Sequence, residues 1–464
     1  MNFKKIISSI MTLVIFCGGL TIPQVNEIST FIVSAEEYSG SCGKNCTYSF
    51  DNATSTLTIS GTGDMESCKW YSFREDIETV IINYGVTSIG DDAFYECESL
   101  TKITIPDSVT TIGNEAFFYC TSLTKITIPD NVTSINSSAF SNCTSLTEIT
   151  IPDKVTYIGT GAFSYCTSLT EITIPDKVTS ISSDLFYDCT SLTKVTIPDK
   201  VTSIGNDAFC YCTSLAKITI PNKVTTIGGY AFDNCTSLTK ITIPDSVTSI
   251  GEYAFYNCTS LTKITIPDKI TTINNNVFSN CTSLKKVTIP DSVTIINDGA
   301  FSSCTSLTRI SIPDSVTTIG ERAFKGCTSL TKITIPTKVT TIDDYAFSGC
   351  TSLTKVTISE SVTAIDYGAF SSCTSLTKVT IPANVTIIGD KAFGYEYDEL
   401  ANNWIKLDDF IIHGTSDSEA ENYALINDFD FMALITKKIL IIVLLILIII
   451  VLGAFLVTTS KKSN

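Results

Sequence analysis

Apolar and polar residues alternate along most of this chain in a pattern that returns every 23 residues. Each unit has the form C-T-S-L-T-K-I-T-I-P-D-x-V-T-x-I-G-x-x-A-F-x-x. The segment L-T-K-I-T-I alternates with a period of two, which predicts a half-buried β-strand. The proline that follows lacks an N–H and ends the strand. A second short run, V-T-x-I, precedes a turn with Gly or Asn and the pair Ala-Phe.

The cysteines make the repeat easiest to follow, because their spacing of 23 residues has no exception. The thirteen cysteines of this ladder are Cys97, Cys120, Cys143, Cys166, Cys189, Cys212, Cys235, Cys258, Cys281, Cys304, Cys327, Cys350 and Cys373. Residues 74–96 are a degenerate first copy, with Arg74 in place of Cys, so we predict about fourteen coils. One coil cannot bury its apolar side chains alone. Stacked coils can, which predicts a β-rich solenoid.

The pattern L-x-x-I-x-I-P-x-x-V-x-x-I-G-x-x-A-F-x-x-C resembles the 23-residue leucine-rich repeats of the BspA-like family, surface proteins of host-associated bacteria and parasitic protists. Residues 41–65 are similar to the N-terminal cap of that family, and residues 410–431 to its C-terminal cap. The resemblance implies a leucine-rich repeat fold and adhesion or ligand binding at a cell surface. It implies no single ligand.

Both ends of the chain predict export and anchoring. Residues 1–35 combine Lys4 and Lys5 with an apolar run and small residues before Glu36, as secretory signals do. Residues 439–457 are 19 uncharged residues, which as a helix reach about 28 Å and predict a single-pass membrane anchor. The predicted organisation is a signal peptide (1–35), an N-terminal cap (36–73), the solenoid (74–395), a C-terminal cap (396–431), a juxtamembrane linker (432–438), the transmembrane helix (439–457) and a cytoplasmic tail (458–464). We therefore expect a cell-membrane protein with an extracellular repeat domain.

Composition narrows the function classes. The chain has 47 acidic and 31 basic residues, a net charge of −16 and a single histidine, His413. This balance argues against a nucleic-acid partner, which would need a basic footprint. One histidine cannot form a multi-histidine metal site, and the sequence shows no nucleophile–base set, phosphate loop or metal cluster. We expect neither enzymatic activity nor a cofactor.

The cysteine ladder allows three interpretations: a disulfide column, a row of metal ligands, or a buried column of thiols. Parallel side chains about 4.8 Å apart keep their Cβ atoms beyond the usual disulfide range. Metal ligation needs convergent thiolates. The prediction is therefore a structural, reduced and buried ladder. Three cysteines outside the ladder, Cys42, Cys46 and Cys68, lie near the start of the chain, and any one pair of them could form a disulfide. Cys210, next to Cys212, is predicted on the neighbouring face, where it could be exposed to solvent.

A charged column follows each ladder cysteine by five residues, on the solvent face of the predicted sheet. This lysine column comprises Lys102, Lys125, Glu148, Glu171, Lys194, Lys217, Lys240, Lys263, Lys286, Arg309, Lys332, Lys355 and Lys378. Its formal charge is +9, whereas the array as a whole carries about −9, so charge is segregated by face. The column is a candidate ligand-binding stripe for an acidic polymer. Alternatively, the lysines only keep the sheet from pairing with other sheets.

Together these features favour a membrane-anchored surface protein for adhesion or ligand recognition through its sheet face. Its expected partners, besides the membrane, are an anionic glycan or wall polymer, or a host or surface protein. The alternative is a structural or secretory-pathway membrane protein without a dedicated ligand, which the dilysine tail Lys461-Lys462 would suit.

Overall fold

The computed structural model describes residues 38–67, 69–434 and 445–451. The predicted signal peptide, Cys68 and most of the predicted transmembrane segment lie outside these ranges. Residues 445–451 are helical and exposed. Among the residues that the structure describes, no helix combines the length and apolar character that a bilayer crossing needs.

The Lys-Ile-Thr part of each repeat forms a short parallel strand on the first face of the solenoid. These strands are β5 (Thr79–Ile82), β7 (Lys102–Thr104), β9 (Lys125–Thr127), β11 (Glu148–Thr150), β13 (Glu171–Thr173), β15 (Lys194–Thr196), β19 (Lys263–Thr265), β21 (Lys286–Thr288), β24 (Lys332–Thr334), β26 (Lys355–Thr357) and β28 (Lys378–Thr380). Neighbours pair mostly two at a time, as β9 does with β11 and β13 with β15. The strands are three or four residues long, shorter than the six residues of the predicted L-T-K-I-T-I segment.

The end of the V-T-x-I run forms a second parallel ladder. Its strands are β6 (Val86–Ile89), β8 (Thr111–Ile112), β10 (Ser134–Ile135), β12 (Tyr157–Ile158), β14 (Ser180–Ile181), β16 (Ser203–Ile204), β17 (Thr226–Ile227), β18 (Ser249–Ile250), β20 (Thr272–Ile273), β22 (Ile295–Ile296), β23 (Thr318–Ile319), β25 (Thr341–Ile342), β27 (Ala364–Ile365) and β29 (Ile387–Ile388). The register advances by one repeat at each step, so Ile135 lies opposite Ile112 and Ile158.

The Ala-Phe turn closes each coil with hydrogen bonds to the following coil. The N–H of Phe117 donates to the carbonyl of Ala139 at 2.8 Å, and the N–H of Tyr119 donates to Ser141 at 3.0 Å. The N–H of Cys120 instead bonds within its own turn, to Phe117 at 3.2 Å. Tyr119, directly before the cysteine, has a left-handed backbone with φ of 59°. Bonds at this turn and in the second ladder therefore satisfy much of the backbone that stacking buries.

Phenylalanine rings form a continuous stack inside the solenoid. Fourteen rings follow one another from Phe94 to Phe393, with centroids 4.9–5.9 Å apart. Trp70 begins the stack, 5.6 Å from Phe94. Backbone pairing sets the coil spacing near 4.8 Å, so offset stacking is the arrangement available to identical rings. Leu, Ile, Val and Ala of each repeat surround the stack and are mostly buried.

The thirteen ladder cysteines are buried. From Cys120 to Cys373, each Sγ lies 3.1–3.3 Å from the carbonyl oxygen of the phenylalanine 26 residues earlier. That carbonyl already accepts a backbone N–H, so the thiol donates to its second lone pair. Burial raises the pKa of Cys166 to about 12. The side chain therefore fills the turn and satisfies a buried acceptor at once.

The three cysteines outside the ladder that the structure describes, Cys42, Cys46 and Cys210, are buried as well. The interpretation of Cys210 as a residue open to solvent is wrong, because its side chain is only 2 % exposed. It precedes the left-handed residue of its turn and points inward, with Sγ 3.6 Å from Oδ2 of Asp233. Cys42 and Cys46 are buried, and no disulfide joins them to each other. Their pairing with Cys68 stays open, since Cys68 lies outside the described residues.

Threonine hydroxyls add a further ladder on the surface. Thr133 Oγ1 donates to the carbonyl of Thr110, 3.2 Å away, and Thr156 Oγ1 to that of Thr133, 3.3 Å away. The same bond recurs between coils at Thr248 and Thr225. Threonine thus supports stacking through its hydroxyl as well as through its β-branched preference for strands.

Both ends of the solenoid continue into capping structure. The N-terminal cap begins with three antiparallel strands, β1 (Tyr38–Gly43), β2 (Cys46–Asp51) and β3 (Thr56–Gly61). Strand β3 pairs in parallel with β5, and β4 (Gly63–Asp64) pairs with β6. A 3-10 helix spans Tyr71–Asp76. At the other end are β30 (Tyr395–Asp398), β31 (Asn403–Lys406), β32 (Ile411–Gly414), α1 (Glu419–Ile426) and β33 (Asp430–Ala433). Because β32 pairs with β28 and β33 with β32, the cap extends the first ladder. The predicted leucine-rich repeat solenoid is confirmed, but it has about 16 turns where the repeat predicted about fourteen coils, because strands of both caps continue the first ladder.

Candidate functional site

All thirteen side chains of the lysine column are exposed on the first face. In β9, for example, the residues are exposed, buried and exposed in turn, which places Lys125 and Thr127 outward and Ile126 in the core. Side chains in neighbouring coils then stand about 4.8 Å apart. Like charges at this distance repel by about 0.9 kcal/mol in water.

The two glutamates of the column pair with the lysines that flank them. Glu148 forms an ion pair with Lys125. Glu171 forms one with Lys194, whose Nζ lies 3.3 Å from Oε2. The reversal of sign that the sequence shows at these two coils therefore becomes a neutral segment of four residues. Both pairs are well exposed, with 61–69 % of each side chain accessible, so they contribute little to stability.

Beyond this neutral segment the column is continuously cationic. Eight consecutive members, from Lys217 to Lys378, are basic. Within the part of the chain that the structure describes, none of the eight forms an ion pair. Salt screens their mutual repulsion only partly, since the spacing is shorter than the Debye length of about 8 Å at physiological ionic strength. The unpaired charge is concentrated in the C-terminal part of the face.

A groove interrupts this cationic run. It has a volume of about 730 Å³ and lies over the coil of Arg309, between β21 and β24. Five cations line it: Lys285, Lys286, Arg309, Lys332 and Lys355. Ser311 contributes a hydroxyl. We call it the Arg309 groove.

The Arg309 groove exists because its central coil makes no strand. Residues 309–311 belong to no strand, and Ile310 and Ile312 are half-buried, where most of their equivalents are buried. The sequence interpretation included Lys286, Arg309, Lys332 and Lys355 but missed Lys285 and Ser311. The sequence could have pointed to Lys285 and Ser311, because both differ from the residue at the same position of the other repeats.

The face has the chemistry of a binding surface. Its exposed groups are ammonium, guanidinium and hydroxyl donors, which suit anionic oxygen acceptors. Among the described residues, no group of three or more His, Cys, Asp or Glu side chains could hold a metal ion. The cysteine ladder lies in the core and presents nothing to this face.

The fold and this face define the chain as a leucine-rich repeat solenoid with a charged sheet surface. The family model for the BspA type leucine-rich repeat region matches residues 66–193, 179–308 and 271–400. The chain belongs to this family, which confirms the resemblance seen in its repeat.

Solved structures show the same relationship. A leucine-rich repeat protein from Bacteroides ovatus is 32 % identical, with 74 % of this chain and 94 % of that protein covered and a TM-score of 0.58. A leucine rich cell surface protein from Faecalibacterium prausnitzii is 31 % identical over 69 % of this chain and 94 % of its own, with a TM-score of 0.39. A leucine-rich repeat protein from Eubacterium ventriosum is 25 % identical over 77 % and 94 %, with a TM-score of 0.44. The chain matches none of the curated proteins.

Proposed function

We propose that this protein is a cell-surface recognition protein that binds acidic polymers through its lysine column. The observation that carries the proposal is the run of eight unpaired cations from Lys217 to Lys378 on one exposed face. A linear polyanion laid along this run would replace repulsion between neighbours with attraction to the ligand. Its function is binding rather than catalysis.

Two further observations support the surface location. The BspA-like family to which this chain belongs is one of surface proteins, as the resemblance of the repeat implies. The predicted signal peptide and membrane anchor agree with export. Staining of intact, unpermeabilised cells with an antibody against the solenoid would test the location. Signal only after permeabilisation would favour the alternative, a protein retained in the secretory pathway.

Retention on dextran sulfate tests the binding face. The full-length chain, purified in a non-ionic detergent, should bind at low salt and elute as salt rises. Replacing the two glutamates, E148K/E171K, extends the cationic run through the neutral segment and should raise affinity about threefold or more.

A matched control separates the face from net charge. E252K/E360K changes net charge equally but at exposed positions outside the lysine column. We expect a smaller gain for this control than for E148K/E171K. Equal gains would mean that overall charge, and not the lysine column, attracts the polymer. Absence of retention at low salt would refute the proposed function.

A further inference from the structure

Three departures from the repeat meet in the Arg309 groove. Lys285 is the single lysine at a position that is threonine or alanine in the other cysteine-led coils. Arg309 is the single arginine of the lysine column, and Ser311 the single serine at a position that is otherwise threonine. These substitutions lie in two adjacent coils and line one cavity.

The backbone departs from the repeat at the same place. In most coils the Lys-Ile-Thr segment pairs with a neighbour, as in β19 with β21 and β24 with β26. Arg309, Ile310 and Ser311 belong to no strand. Within the described residues, their N–H groups have no backbone partner. The groove therefore offers unused backbone donors in addition to its cations.

The donor set discriminates between anions. A guanidinium binds two oxygens of one oxyanion through its planar fork, whereas an ammonium acts as a point charge. Lysines from the coils on both sides and the Ser311 hydroxyl supply donors beyond that fork. A carboxylate has two oxygens and is largely satisfied by the arginine. A phosphate or sulfate ester has further oxygens for the surrounding donors.

We propose that the Arg309 groove is a specific site for a tetrahedral oxyanion, a phosphate or sulfate ester carried by an acidic polymer. The lysine column holds the polymer along the face, and the groove fixes its register by binding one ester group. This inference rests on the proposed function, because it specifies the ligand of the same face. It predicts that Arg309 binds the ester group specifically, whereas in a uniform stripe of charge any cation would be equivalent.

A charge-conserving substitution tests the inference. R309K restores the residue that the repeat has elsewhere, so we expect it to fold. With the full-length chain in detergent and dextran sulfate or dextran phosphate of matched length as probes, R309K should weaken binding about fivefold or more. R322K is the matched control, because Arg322 lies outside the lysine column and is ion-paired with Glu321; its affinity should not change. Equal behaviour of R309K and R322K would overturn the proposal.

A second pair of variants separates the groove from charge density. K285T also restores the repeat residue, and K217T removes one lysine of the column outside the groove. K285T should weaken binding at least about threefold more than K217T if the groove binds an ester group. Equal losses would mean that only the number of charges matters and would overturn the site.

A third test compares polymers that carry different acidic groups. Polyglutamate of similar length and charge density should bind more weakly than both ester polymers at the same salt concentration. A preference between dextran sulfate and dextran phosphate identifies which ester fits better. Equal affinity for polyglutamate would overturn the preference for a tetrahedral oxyanion. If none of the three polymers binds at low salt, it is the proposed function itself that fails.

Discussion

Asp343 is a carboxylate at a position where the solenoid favours glycine or a hydrogen-bond donor. Its equivalents are glycine in most coils, asparagine or serine in four, and aspartate again in the following coil, at Asp366. At the equivalent position Asn274 donates from Nδ2 to the carbonyl of Ile250, 2.7 Å away. An ionised carboxylate has no hydrogen to donate. Burial, followed by the charge of Asp366, raises the pKa of Asp343 from 3.8 to about 6.

This shift makes the Asp343 carboxylate destabilising at neutral pH. The folded protein holds the proton more tightly than the unfolded chain, so stability falls as pH rises from about 4 through 6. The full difference between 3.8 and about 6 corresponds to about 3 kcal/mol. Solvent screens a partly exposed side chain, which lowers the expected penalty to about 1 kcal/mol.

Replacing Asp343 with asparagine should remove that penalty. We expect D343N to raise the free energy of unfolding by about 1 kcal/mol at pH 7.5 and to have almost no effect at pH 4. Urea unfolding followed by circular dichroism at both pH values measures the difference. D153N is the matched control, because Asp153 is an exposed carboxylate in another coil and is not among the charges that act on Asp343. An equal gain at both pH values, or none at pH 7.5, would refute the reasoning.

The core allows two further predictions. F255A, which truncates one ring of the stack, should lower the free energy of unfolding by about 3–5 kcal/mol, because a fully buried ring is lost from between two coils. A urea midpoint close to that of the unaltered chain would contradict a close-packed stack. The ladder thiols should resist iodoacetamide at pH 7.5 until the protein is denatured, because they are buried and the pKa of Cys166 lies near 12. Intact mass measured before and after denaturation counts the alkylated thiols. Rapid labelling of the ladder in the native protein would contradict this prediction and would show that the coils open.

Much of the fold could be predicted from the repeat because each coil faces the same neighbours. The period of two in L-T-K-I-T-I places lysine outward and isoleucine inward, and the structure shows both. The pattern overestimates the strand length, since periodicity reports which way side chains face and not which N–H groups find partners. Cys210 shows the same limit, because its direction depends on the left-handed residue beside it.

Part of the candidate site could likewise be predicted from the sequence, and part required the structure. The sequence by itself determined the 23-residue period, the cysteine ladder and the cationic face, because each of these follows from residue type and spacing. Only the tertiary structure decided which charges cancel, since Glu148 and Glu171 reach lysines 23 residues away. It also decided where the first ladder opens and so brought Lys285, Arg309 and Ser311 into one groove. Spacing specifies the coil, whereas contacts between coils depend on backbone pairing that a single repeat does not contain.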